Sequence, residues 1–253
     1  MKQKVIYYRD ELNDEFAEDH IQAKKIDKTY RYLRSRILHV FWYRIIAMPF
    51  ARIYMKLFFH HKIIGKEVFE KAGCCGYFLY GNHTHFLADA FVPAVLCRPL
   101  DVSVIVHPNN VSMPVLGRIT PYLGALPLPD DGEAAKKFIQ AVEKKIAGHE
   151  CVMIYPEAHI WPYYTDIRPF TDASFRYPVK YRTPVFSLTN TYQKKKRGGR
   201  PMMVTYVDGP FYPKKGLSEK EQRKDLRNQV YAAMKKRAEN NSVVKIRYEK
   251  IKS

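Results

Sequence analysis

The sequence predicts an α/β fold: a largely parallel central sheet flanked by helices, preceded by an N-terminal amphipathic, membrane-docking helix pair. Three observations carry this. From Gly73 onward, short apolar runs alternate with helical stretches, the pattern of strands joined by crossover helices. Each chemically rich segment follows one of those runs: "NHTHFLAD" after the first, "HPNN" after the second, "PEAHIWP" after the third. Sites of open parallel sheets lie there, beyond the carboxyl ends of the strands. Residues 37–59 form the most apolar stretch and lie ahead of the alternating region. The division that follows is a helical segment over 1–72 and an α/β domain over 73–253.

Taken in order, residues 1–36 are charged and poor in apolar periodicity, and read as helix and loop. The stretch "ILHVFWYRIIAMPFARIYMKLFF" (37–59) is about long enough to span a bilayer. Arg44, Arg52, Lys56 and Pro49 interrupt it. Each charge at mid-bilayer costs roughly 2.5–3.5 kcal/mol on insertion scales. Lying in the interface fits better, with Trp42, Tyr43 and Tyr54 as anchors. Packing on the domain's own core is the other reading, and different faces can serve both. A break near Pro49 would make a helix pair.

"YFLYGN" (77–82) reads as a buried strand and "ADAFVPAVL" (88–96) as a helix. Pro93 is compatible with a helix only near its first turn, so this helix should begin close to Asp89. "DVSVIVH" (101–107) is a second strand. "VSMPVLGRITPYLG" is short helix or loop, and "ALPL" (125–128) is extended. An amphipathic helix covers 133–149, with Phe138, Val142 and Ile146 one turn apart and Gly148 as its stop. Strands follow at 151–157, 183–192 and 200–210. The last helix opens with Ser218 and Glu221 at capping-box spacing and carries Leu226, Val230, Ala233 and Met234 as its stripe.

The formal charge is +18, which points to an anionic partner. No nucleic-acid-binding motif accompanies it, so an anionic membrane surface is the preferred partner and nucleic acid is not. The basic run "QKKKRGGR" (193–200) reads as a solvated loop. Hydrophobic residues at 46% and aromatics at 14% exclude a disordered chain. The densely charged first 36 residues show no cleavable signal peptide. Cys74, Cys75, Cys97 and Cys151 make no Cys-x-x-Cys pair and read as reduced thiols of a cytosolic protein.

"GNHTHFLAD" (81–89) carries the sharpest chemistry. As a metal site, His83 and His85 could chelate with a nearby carboxylate, helped by His107 or His159. The run lacks the Asp-His half of a His-x-His-x-Asp-His zinc set, because Leu87 and Ala88 stand there, so no metal is expected. As an acid/base dyad, a histidine backed by Asp89 could deprotonate a hydroxyl, the carboxylate fixing the tautomer. No serine nucleophile elbow appears in the chain, so direct attack by a substrate hydroxyl is the natural chemistry.

With those residues in view, the chain resembles the glycerolipid (lysophospholipid, or 1-acylglycerol-3-phosphate) acyltransferase family. Four blocks between about residues 75 and 210 follow that family's order. "GNHTHFLAD" is similar to its Asn-His…Asp block. "MPVLGRITPYLGALPLPDD" is similar to its Pro…Gly…Gly acceptor-side block. "YPEAHIWP" is similar to its apolar-Pro-Glu-Gly-Thr-Arg block. "YRTPVFSLTNTY" resembles the strand whose proline follows a short helix. The resemblance implies transfer of an acyl group from acyl-CoA or acyl carrier protein to a lysophospholipid hydroxyl, with no cofactor. It also implies a peripheral enzyme on the cytoplasmic face of a membrane.

The resemblance carries over residue by residue. The family pattern is His-x-x-x-x-Asp; here five residues separate His83 from Asp89 and three separate His85 from it. Following the Asn-His dipeptide, His83 takes the base role with Asp89, the surplus residue bulging before the helix. His85 is the alternative base if the helix begins earlier. The family's two phosphate-binding arginines are replaced, by Pro129, Asp130 and Asp131 in the second block and by Ala158, His159 and Ile160 in the third. Arg118 and Arg168 are the candidate substitutes, His159 a candidate head-group donor, and Glu157 a brace for the site loops or the acceptor. Backbone N–H groups at the helix start near Asp89 would hold the oxyanion. "IWPYYT" (160–165) and the N-terminal helices would form an apolar acyl groove. The alternatives are a non-catalytic lipid head-group binding protein on the same fold, and a metal-dependent hydrolase using His83 and His85.

Overall fold

In the computed structural model, residues 4–16, 24, 35–73, 75–97, 101–195 and 199–251 are described. Cys74, residues 17–23 and 25–34 of the expected N-terminal helix and loop, and 196–198 of the basic run lie outside them. Strand β1 (Lys4–Tyr8) comes first. Helix α1 (Arg36–His39), capped by Ser35, runs through π-helical turns (Val40–Ala47) into α2 (Met48–Phe59). Then come β2 (Lys62–Ile64), β3 (Tyr77–Gly81), α3 (Phe86–Leu96), β4 (Val102–Val106), α4 (Asn109–Ser112) and β5 (Ala125–Pro127). The chain continues with α5 (Gly132–Ala147), β6 (Cys151–Ile154), α6 (Arg176–Tyr181), β7 (Val185–Gln193), β8 (Met202–Phe211), α7 (Glu219–Ala238) and β9 (Ile246–Lys250).

The main sheet has the order β2-β8-β7-β3-β6-β4-β5. All its neighbours pair in parallel except β7 and β8, which are antiparallel. The central strand β3 is buried at every residue, as a strand covered on both faces must be. One face is covered by α5, α6 and α7, which contribute Phe138, Val142, Ile146, Tyr177, Leu226, Val230 and Met234 to a single core cluster. The other is covered by α2 and α3 through Met55, Phe59, Ala88, Val92 and Leu96. The apolar stripes expected on α5 and α7 therefore face the sheet, and Ser218 and Glu221 close the expected capping box. Asp131, in a position where the family pattern has a basic residue, accepts from the Ala134 N–H at 2.7 Å and caps α5.

From β3 the chain passes over β6 to reach β4; from β6 it passes over β3 to reach β7. The two connections leave in opposite directions and open a crevice beyond the carboxyl ends of β3 and β6, the usual place for a ligand. Gly124 holds φ +90°, and a side chain there would meet the Val102 carbonyl at 2.3 Å.

Three expectations are corrected. The N-terminal helix is not a pair: helical residues run without interruption from Arg36 to Phe59. Pro49 sits at the N-terminal end of α2, just after the π-helical turns, where its missing N–H does not stop the chain. The start of the chain includes a strand, because β1 pairs in parallel with β9. Helix α3 begins at Phe86, three residues before Asp89, so Pro93 lies in its interior.

The helical run is held to the domain at its first half. The His39 Nδ1 lies 2.7 Å from the Tyr122 carbonyl, and Arg44 donates to Asp101 at 2.9 Å. Burial alone would raise the Asp101 carboxyl, but bonds from His39 and Arg44 outweigh it and hold the pKa below the usual range. Helix α2 is apolar on two faces. Met48, Ala51, Met55 and Phe59 are buried, while Phe50, Ile53 and Leu57 are exposed, as are Ile37, Phe41 and Ile45 before them. No acidic residue occurs between Arg36 and Lys66. Among the described residues no helix is long and apolar enough to cross a membrane.

Candidate active site

The loop between β3 and α3 wraps one carboxylate. His83 Nδ1 lies 2.8 Å from Asp89 Oδ2, and the N–H groups of Thr84 and His85 donate to the same oxygen at 2.8 Å each. The surplus residue is absorbed here, because the backbone at Thr84 turns its amide inward. Asp89 itself is 1% exposed. A buried carboxylate needs such a full set of donors. With Nδ1 as donor to Asp89, His83 Nε2 is the proton acceptor, and no described residue hydrogen-bonds it.

His85 is placed differently. It is the N-cap of α3, and its Nδ1 accepts from the Ala88 N–H at 3.3 Å. An earlier helix start was the condition for His85 to pair with Asp89. That start is met, yet the cap takes the side chain and Asp89 takes only the His85 amide. Burial lowers the His85 pKa, opposed by Asp89 and assisted by Lys245 and Arg200. The Phe59 ring stands 4.9 Å from it, which joins α2 to the site.

Pro93 explains a further contact. Lacking an N–H, it leaves the Asp89 carbonyl without its helical donor, and the Tyr155 hydroxyl donates to that oxygen instead. Tyr155 also stacks on His83, ring centroids 4.4 Å apart at 18°. Burial pushes the Tyr155 phenol up, so it stays a donor.

Glu157 holds the next loop. Its Oε2 accepts from the His83 N–H at 2.9 Å and its Oε1 from the Arg168 N–H at 3.0 Å. Burial raises its pKa, against the pull of the Arg168 guanidinium and of these amides. The Trp161 and Tyr163 N–H groups bond the His83 and Thr84 carbonyls at 3.1 and 2.9 Å, continuing the strand pairing past β3 and β6.

Arg168 corrects another expectation. Rather than facing a substrate, it is fully buried, 3.6 Å from Glu157, and bonded to the carbonyls of Glu11 and His159. There its charge offsets the burial of the Glu157 carboxylate. Trp161 likewise lines no groove: it is buried among Tyr8, Phe16, Tyr164 and Tyr248, with its Nε1–H on the Asp14 carbonyl. Arg118 is exposed on the short helical turn Leu116–Arg118. His159 is one-third exposed and 3.6 Å from Glu15. Cys97 and Cys151 are buried free thiols with Sγ atoms 3.6 Å apart, and Cys75 is exposed. Among the described residues no cluster of three His, Cys, Asp or Glu is arranged to hold a metal ion.

Sequence reasoning missed Asn190, Thr205 and His61, and gave Asn82 of the Asn-His dipeptide no role of its own. Asn82 exchanges two bonds with the Asn190 backbone, at 3.0 and 2.8 Å. Asn190 Nδ2 donates to Asp89 Oδ1 at 3.3 Å. The available signal was "SLTNT" (187–191), a polar run inside a strand that is otherwise apolar and buried.

Neither a protein-family model nor a curated protein sequence matches the chain. Its fold is similar to the crystal structure of the 1-acyl-sn-glycerophosphate (LPA) acyltransferase PlsC from Thermotoga maritima. The TM-score is 0.59 at 15% identity, over 85% of this chain and 89% of that one. At that identity the likeness establishes a shared fold: the chain has the α/β architecture of that structure.

Proposed function

We propose that this protein is an O-acyltransferase that moves a fatty acyl group from a thioester donor, acyl-CoA or acyl carrier protein, to a lysophospholipid hydroxyl. The observation that carries this reading is the His83–Asp89 pair at the crevice of an acyltransferase-like sheet. His83 Nε2 takes the proton of the acceptor hydroxyl while Asp89 stabilises the imidazolium. The alkoxide oxygen attacks the thioester carbonyl. The tetrahedral intermediate collapses, the C–S bond breaks, and the His83 proton goes to the departing thiolate. Thr84 and His85 amides are already committed to Asp89, so the Phe86 and Leu87 amides at the start of α3 are the candidates for the oxyanion.

The exposed apolar stripe from Ile37 to Phe58, set among Arg44, Arg52 and Lys56, supports docking on an anionic membrane surface. That would bring the acceptor and acyl chain to the same side as the dyad, since Phe59 touches His85. The cytoplasmic face is the reading consistent with this basic surface. Arg118 and His159 remain the candidates for the acceptor head group; Arg168 and Glu157 brace the loops. The test is acyl transfer by purified protein from acyl-CoA to a panel of lysophospholipids, read by mass spectrometry. A product that needs both substrates and disappears with His83→Ala supports the reading. Lysolipid binding without any product would make this a head-group binding protein, and loss of a product on chelation would favour the metal-dependent alternative.

A further inference from the structure

Asp89 is held on its second oxygen by a chain of side chains that starts at half-buried His61, beyond the far end of α2, and runs through buried Thr205 and Asn190. His61 Nε2 lies 2.7 Å from Thr205 Oγ1; Thr205 Oγ1 donates to Asn190 Oδ1 at 2.6 Å; Asn190 Nδ2 donates to Asp89 Oδ1 at 3.3 Å. Each direction is forced. A carboxylate accepts only, so Asn190 must present its amide N–H to Asp89 and its oxygen to Thr205. Thr205 has one proton, which it gives to Asn190, so His61 must donate from Nε2. Every dipole in the chain then points its positive end at Asp89. Thr205 and Asn190 are buried, and Asn190 backbone positions are fixed separately by Asn82. The Asn190 side chain is therefore free of any duty in pairing β3 with β7.

We propose that Asn190 is a positioning residue for the dyad: oriented by Thr205 and His61, its amide fixes the Asp89 carboxylate that in turn holds His83. The inference rests on the His83–Asp89 reading of the site. His61 directly follows the α2 cap residue, and its N–H bonds the Met55 carbonyl at 3.2 Å. The chain thus ties the dyad to the end of the helix whose other face is apolar and exposed.

The test uses the folded full chain and two readouts. NMR titration of the His83 imidazole needs no substrate; steady-state kinetics use acyl-CoA and a lysophospholipid. The other titratable or charged groups around the pair are His85, Tyr155, Glu157 and Tyr192, with Arg168 behind Glu157 and Lys245 and Arg200 beside His85. None of these is altered. In Asn190→Ala the carboxylate loses a donor, so the His83 imidazole signals should titrate at higher pH than in wild type and kcat should fall about tenfold, with KM for acyl-CoA unchanged. Thr205→Val should shift both in the same direction by less, and Thr205→Ser should restore them. If Asn190→Ala fails to fold, the Thr205 pair decides. An unmoved His83 titration in folded Asn190→Ala, or in Thr205→Val when only that folds, overturns the inference. No acyl transfer by the wild-type chain, together with a His83 titration that moves in Asn190→Ala, would overturn the proposed function and leave the positioning role standing.

Discussion

The Tyr155 hydroxyl donates to the Asp89 carbonyl, the oxygen that Pro93 leaves without a helical partner. One tyrosine from the end of β6 thereby completes the hydrogen bonding of α3 and packs its ring on His83. Tyr155→Phe keeps the ring and removes the donor. It should cost about 1–3 kcal/mol of stability, the penalty for orphaning a buried acceptor. In a Pro93→Ala background the helix supplies its own N–H, so the same substitution should cost clearly less. Chemical denaturation of the four proteins of this cycle measures the difference; equal costs in both backgrounds would show that the carbonyl is not the reason.

His85 and His83 should separate by property. His85→Ala removes the α3 cap and should lower stability by about 1 kcal/mol, and His85→Asn should recover most of it. Acyl transfer per folded molecule should stay within about tenfold of wild type in His85→Asn, because the cap, not proton transfer, is what this side chain supplies. Urea midpoints beside turnover numbers make the comparison.

His61 gives a prediction about acid stability. Burial lowers its pKa from 6.5 to about 4 in the folded chain. Between those values the unfolded chain binds the proton and the folded chain does not. Stability is therefore fully present above pH 6.5 and is lost as pH falls toward about 4. At roughly 1.36 kcal/mol per pH unit, the interval from 6.5 to about 4 sets an upper limit between about 3 and 4 kcal/mol. His61→Gln retains a donor for Thr205 and removes the titration, so its stability should fall less steeply over this window. Denaturation midpoints at pH 4.5, 5.5 and 7 compare the slopes.

What could be read in the sequence followed from period and chain order. The alternation of apolar runs with helical stretches marked every strand of the sheet except β2, and the apolar stripes of α5 and α7 marked the faces they bury. His83 and Asp89 were legible because the sequence places them within one loop and helix start. Three things were not. Pro93 argued for a late helix start, and the compensating donor, Tyr155, is 62 residues farther along the chain. Arg168 looked like a phosphate receptor, since its burial depends on Glu157 and on the β1 end of the chain closing over it. The Asp89–Asn190–Thr205–His61 chain joins α3, β7, β8 and the connection from α2 to β2, brought together only through the sheet order, which no local pattern specifies.

The apolar stripe of the N-terminal helical run should be what holds the protein to lipid. In flotation, vesicles containing anionic lipid should carry the wild-type chain, and binding should weaken as salt is raised. Replacing Ile53 and Leu57 with serine removes exposed apolar side chains without touching the buried face, so flotation should fall at least about tenfold while the urea midpoint stays put. Undiminished flotation would move the lipid contact elsewhere.

The most direct measurement of the central claim is kcat/KM for acyl transfer from acyl-CoA to the preferred lysophospholipid, in wild type and in folded His83→Ala. A loss of about 10²–10⁴-fold is expected with His83→Ala. A His83→Ala protein that transfers acyl groups at the wild-type rate would contradict it.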